Sequence, residues 1–130
     1  MGDKDVLILF VEYHAAFRQS VSFMMGREPD MEVVSQAGSV AEGRERMAEG
    51  GIDAAVVDVP LPDEGAEQLV ASLRGANPAV PVLVMTTVEG PEVRERFLGA
   101  GANEVIPKSS SFAEVLAAVR RLGQDGAEEM

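Results

Sequence analysis

The stretch Ile52-Asp-Ala-Ala-Val-Val-Asp58-Val-Pro-Leu-Pro-Asp-Glu-Gly65 decides the fold. A short apolar run reaches a carboxylate, and a Pro-rich turn follows. A strand without polar alternation is buried on both faces, as in a parallel sheet covered by helices. Such sheets gather their chemistry at the carboxyl ends of the strands, which makes Asp58 a candidate site residue. Three other apolar runs end in a similar way. Val6-Leu-Ile-Leu-Phe-Val11 is followed by Glu12, Val80-Pro-Val-Leu-Val-Met-Thr86 ends on a hydroxyl, and Val105-Ile-Pro-Lys108 ends on an amine. Right-handed crossovers bring these four residues to one sheet edge. Two acids, a hydroxyl and an amine suit a site that handles phosphoryl groups.

Composition bounds the alternatives. The 130 residues suit one domain, and 46% are hydrophobic, enough for a core packed by Ala, Val, Leu and Met rather than by the six aromatics. The absence of cysteine excludes disulfides, thiol catalysis and Cys-based zinc sites, and a single histidine excludes a His-rich metal site. A formal charge of −11 repels a nucleic-acid backbone, so direct nucleic-acid binding is not expected. The apolar runs are too short to span a bilayer. Met-Gly-Asp-Lys-Asp has no signal-peptide pattern, and Val6 breaks the myristoylation pattern after Gly2. These features lead us to expect a cytoplasmic protein.

Strand and helix alternate five times. The expected strands are 6–11, 31–36, 52–57, 80–86 and 103–107. The expected helices are 14–27, from the N-cap Ser39 to 49, 64–75, 91 to about 99, and one starting after Ser110 or Ser111. Phe17, Val21, Met24 and Met25 form the first helix's apolar stripe, with Met24, Met25 and Met47 as core filler. Phe112, Val115, Leu116, Val119 and Leu122 form the last stripe. Ser39 with Glu42 reads as a capping box. Residues 1–123 are expected as the domain, and 124–130 as an acidic flexible tail or the start of a linker.

With Glu12, Asp58 followed by Pro62, Thr86 and Lys108 at the right strand ends, residues 5–122 resemble a response-regulator receiver domain of two-component signalling. Glu12-Tyr-His-Ala-Ala-Phe-Arg18 is similar to the first strand exit of NarL/FixJ-type regulators. The resemblance implies an α/β fold, a flavodoxin-like (βα)5 doubly wound parallel five-stranded sheet with strand order 2-1-3-4-5. It implies Asp58 as phosphoacceptor, and Glu12, Asp58 and the Pro60 carbonyl as ligands of Mg²⁺. Thr86 and Lys108 would contact the phosphoryl oxygens. A histidine kinase would be the donor. The protein would not be an enzyme, and it would regulate an output or DNA-binding domain outside these residues. A homodimer through helices one and five, or four and five, is expected.

Two positions depart from the family pattern. Tyr13 replaces the second acid of the metal-binding pair, and a neutral phenol is a poor Mg²⁺ ligand, so Mg²⁺ binding would be weak or absent. Val105 replaces the aromatic that turns inward on activation. The pocket is therefore degenerate, and the receiver is expected to be atypical. Other readings stay open. Asp58 is also a turn former, Lys108 also a structural partner of Asp58, His14 also a helix-start residue, and Tyr13 either core packing or a plug in the metal site. At the level of function, the alternatives are a phosphorylation-independent pseudo-receiver that dimerises or binds a ligand, and a flavodoxin-like nucleotide binder. The latter lacks a Gly- or hydroxyl-rich loop after the first strand.

Overall fold

The computed structural model describes residues 5–63, 65–88 and 90–128. The strands are β1 (Val6–Val11), β2 (Met31–Ala37), β3 (Ala54–Val59), β4 (Val82–Thr86) and β5 (Glu104–Pro107). The helices are α1 (Ala15–Gly26), α2 (Val40–Glu49), α3 (Ala66–Ala76), α4 (Pro91–Ala100) and α5 (Phe112–Glu128). The strands form one parallel sheet in the order β2-β1-β3-β4-β5, as expected.

Alternation along each strand divides the core into two layers. In β1, Leu9 and Val11 join Val57, Met47, Leu69, Leu73 and Phe97 on the side of α2, α3 and α4. Ile8 and Phe10 face the other way, onto Val56, Met25, Val115, Leu116, Val119 and Leu122 from α1 and α5. All six residues of β3 are buried, and all but Asp58 are apolar.

The strand and helix boundaries shift slightly. β3 starts at Ala54 because Asp53 serves as a clamp: its N–H donates to the Leu7 carbonyl at 2.7 Å, and its carboxylate accepts from the Leu7 N–H at 2.9 Å. Asp58 is therefore the second-last residue of β3, and Val59 ends it. β4 starts at Val82, whose N–H donates to the Asn103 side chain at 2.9 Å. α3 starts at Ala66, with Gly65 before it at φ 110°, and Glu64 lies outside the described residues. α5 continues through Glu128 into the segment expected as a tail, while residues 129–130 lie outside the described residues.

Capping is partly as read. The Glu42 N–H donates to Ser39 Oγ at 3.1 Å, but the Glu42 carboxylate reaches back to the N–H of Gly38, at 2.7 Å. Ser111 and Glu114 form the complete reciprocal box, at 3.1 and 2.8 Å, so Ser111 starts α5. Met25 and Met47 are core, whereas Met24 is 42% exposed, because the face of α1 that meets the sheet centres on Ser22 and Met25.

Candidate functional site

Glu12 follows β1, Asp58 lies near the end of β3, Thr86 ends β4 and Lys108 follows β5. The fold brings Glu12, Asp58 and Lys108 into contact. The Lys108 ammonium lies 3.0 Å from Asp58 Oδ1 and 3.8 Å from Glu12 Oε1. Both acids are 1% exposed. The Lys108–Asp58 ion pair anticipated from the sequence is thus present, and Lys108 also leans on Glu12.

Two buried carboxylates beside one ammonium leave one negative charge in excess. Glu12 Oε1 and both Asp58 oxygens accept no hydrogen bond of acceptable geometry. A proton on Asp58, donated toward Glu12, relieves both problems. Burial, the neighbouring Glu12 carboxyl and its charge push Asp58 up from 3.8 to about 8, with Lys108 opposing. Burial also pushes Glu12 up. That push is outweighed by hydrogen bonds from Asp58 and from the His14 main chain and ring, and by the Lys108 charge, so Glu12 settles below its ordinary value.

Glu12 is held from behind. The His14 N–H donates to Glu12 Oε2 at 2.6 Å, and His14 Nδ1 lies 2.9 Å from the same oxygen. Arg18 donates to the Glu12 carbonyl at 2.7 Å. This turn directs Tyr13 outward. Its ring is 53% exposed and meets His14 edge-on at 5.1 Å between centroids. Tyr13 is therefore neither core packing nor a plug between the two acids. His14 is the N-cap residue of α1, but its side chain makes no capping hydrogen bond and serves Glu12 instead.

The Thr86 hydroxyl is turned into its own loop, accepting from the Val88 N–H at 3.0 Å and donating to the Val88 carbonyl at 3.3 Å. Val105 is buried, and with Thr86 and Arg94 it borders a cavity of about 380 Å³. Arg94 closes one side by donating to the Val105 carbonyl at 2.7 Å. Pro60 is exposed just beyond β3. Among the described residues no three Asp, Glu, His or Cys side chains converge as a metal cluster. The unbonded oxygens of Glu12 and Asp58 still fit a hard cation such as Mg²⁺, which takes one or two carboxylates and keeps several waters.

The family model described as the response regulator receiver domain matches residues 8–120. This chain belongs to that family. The receiver is 31% identical over 118 residues to the DNA-binding transcriptional activator DevR/DosR of Mycobacterium tuberculosis, a match covering 91% of this chain and 54% of the relative. It is 26% identical to a solved two-component response regulator of the LuxR family from Aurantimonas, with a TM-score of 0.86 over 92% of this chain and 86% of that one. A CheY-like receiver from Methanospirillum hungatei shares the fold at a TM-score of 0.88 and 22% identity, over 96% and 98% of the two chains. The receiver spans about half the length of the curated relatives it matches. Several of these are named as transcriptional regulators, and one as a methylesterase. Receiver domains as a family typically bind Mg²⁺ at an acidic pocket and are phosphorylated by histidine kinases. Among the described residues no helix is long and apolar enough to cross a membrane.

Sequence reasoning missed the grip of His14 and Arg18 on Glu12. It also missed Asp63, whose carboxylate accepts from the Val40 and Ala41 N–H groups at 2.9 and 3.2 Å and so caps α2 from a distant loop. No local pattern announces a cap donated from 23 residues away.

Proposed function

We propose that Asp58 is a phosphoacceptor served by a reduced, two-acid metal pocket. One observation carries this reading: Asp58 is buried, paired with Lys108 at 3.0 Å and faced by Glu12, all at the carboxyl edge of the sheet. Lys108 pairs with Oδ1, which leaves Oδ2 as the attacking oxygen. Asp58 releases its proton before attack. Its oxygen then bonds to the phosphorus of a phosphohistidine, the P–N bond breaks, and its electron pair returns to the imidazole of the donor kinase. The product is an acyl phosphate on Asp58. Lys108 then pairs with a phosphoryl oxygen. Thr86 reaches another only by giving up its two contacts with Val88. Glu12, Asp58 and the Pro60 carbonyl would hold Mg²⁺, which neutralises charge during transfer. With no acid at position 13, metal and phosphoryl are held more weakly than in a three-acid pocket. The output is a partner or DNA-binding domain, engaged by a cytoplasmic homodimer, and the receiver itself catalyses no separate reaction.

Intact-mass spectrometry after incubation with Mg²⁺ and phosphoramidate tests this. Wild type gains one phosphoryl group and Asp58→Asn gains none. A folded wild type that takes up no label, beside a labelled control receiver, rejects the reading.

A second reading rests on the placement of Lys108. Its ammonium already bridges the two acids, and together with a proton on Asp58 it balances their charge without a metal. On that reading the receiver is a phosphorylation-independent interaction module.

A further inference from the structure

Helix α1 and the segment from β5 into α5 enclose an apolar cavity that the phosphoryl pocket does not use. Its volume is about 330 Å³, within the size range of small-molecule sites. Phe17, Val21, Met24, Phe112 and Val115 form its walls. Phe17 and Met24 remain 46% and 42% exposed, so the opening is rimmed by apolar surface that the fold leaves uncovered. Ser20, Ser110 and Lys108 are its polar groups.

Lys108 is the single charged residue of the lining, a cation in a chain of net charge −11. Its ammonium lies 5.9 Å from the centre of the Phe17 ring, on the cavity side, and 3.0 Å from Asp58 on the other. One ammonium therefore serves two compartments. An apolar body would fill the cavity, and a cationic head group would be repelled.

We propose that this cavity binds a small amphiphilic anion, an aromatic or short aliphatic body bearing one carboxylate or sulfonate, with its head group on Lys108 and its body between Phe17, Met24 and Phe112. The ligand anion and the Asp58 carboxylate then compete for the same ammonium.

The test is a fluorescence titration of the full chain with 8-anilinonaphthalene-1-sulfonate, beside its uncharged counterpart N-phenyl-1-naphthylamine. One sulfonate probe binds per chain, about tenfold more tightly than the neutral probe. Lys108→Met removes that preference while keeping the stem. Val21→Phe fills the cavity and weakens both probes. Thermal melts accompany each titration. A ligand of the folded state raises the melting temperature, whereas a dye gathering on loosened protein lowers it. Equal affinity for the two probes, indifference to Val21→Phe, or a lowered melting temperature overturns the proposal. So does sulfonate binding that weakens as sedimentation shows the mass doubling, because a second copy then covers the opening.

Discussion

Lys108 reaches across β4 to place its ammonium 3.0 Å from Asp58 Oδ1. The strand it crosses helps to aim it, since the Lys108 N–H donates to the Thr86 carbonyl at 2.8 Å. Glu12 completes the group from β1 on the other side of β3, so three strands deliver two acids and one cation to a buried point. The pocket's behaviour follows from that unequal count of charges.

Stability should fall with pH because of Asp58. An acid whose pKa rises on folding contributes stability that is complete below its unfolded value and lost as pH climbs through its folded value. For Asp58 the window runs from 3.8 to about 8. Glu12 is shifted downward and acts in the opposite sense, its contribution being lost as pH falls below about 4.5. From pH 5 to pH 9 the Asp58 effect dominates. Wild type should therefore lose roughly 1–3 kcal/mol relative to Asp58→Asn across that range. Urea melts at the two ends measure it, and a difference that stays flat or changes in the other direction contradicts the account.

Lys108→Met should be a pH-sensitive lesion. At pH 8 it leaves two buried acids without a cation and costs about 1–3 kcal/mol. At pH 5 the Asp58 proton already offsets one charge, so the cost should be smaller. Thermal melts of the variant at both values check the order.

Tyr13→Asp should strengthen Mg²⁺ binding about tenfold, by returning a carboxylate beside the two already present. Because the Tyr13 ring is 53% exposed, stability should change by only about 0.5 kcal/mol. Calorimetric Mg²⁺ titration of wild type and variant reads the affinity. Equal affinities would mean that position 13 cannot reach the metal.

Gly123→Ala should destabilise the contact between α5 and β1. A Cβ at residue 123 would lie 2.7 Å from Val6 Cγ2, a stiff β-branched side chain, and overpacking of this kind costs about 1–3 kcal/mol. Gly75→Ala meets nothing within 4 Å and should instead stabilise α3 by roughly 0.5–1 kcal/mol. Denaturant melts of the pair separate crowding from helix propensity.

Much of the fold was legible because β1, β3 and β4 are buried on both faces and announce it in nearly continuous apolar runs. The site was legible to the same extent, since a residue that follows such a run must lie at the sheet edge. The direction of Tyr13 was not. It depends on the turn in which His14 donates to Glu12, a contact between residues whose types alone do not specify it. The exposure of Met24 was hidden for a related reason. Helical spacing marks an apolar arc, but the sheet covers only the part centred on Ser22 and Met25. The proton held by Asp58 is a property of three residues from three strands, and no single stretch of sequence carries it.

The most direct test of the central claim is a carbon-13 NMR titration of the Asp58 and Glu12 side-chain carboxyls. The account predicts that Glu12 ionises below its ordinary value and Asp58 far above its own, near 8, and that Glu12→Gln brings Asp58 down. Two carboxyls that both titrate near 4, with Asp58 unmoved by Glu12→Gln, would contradict it.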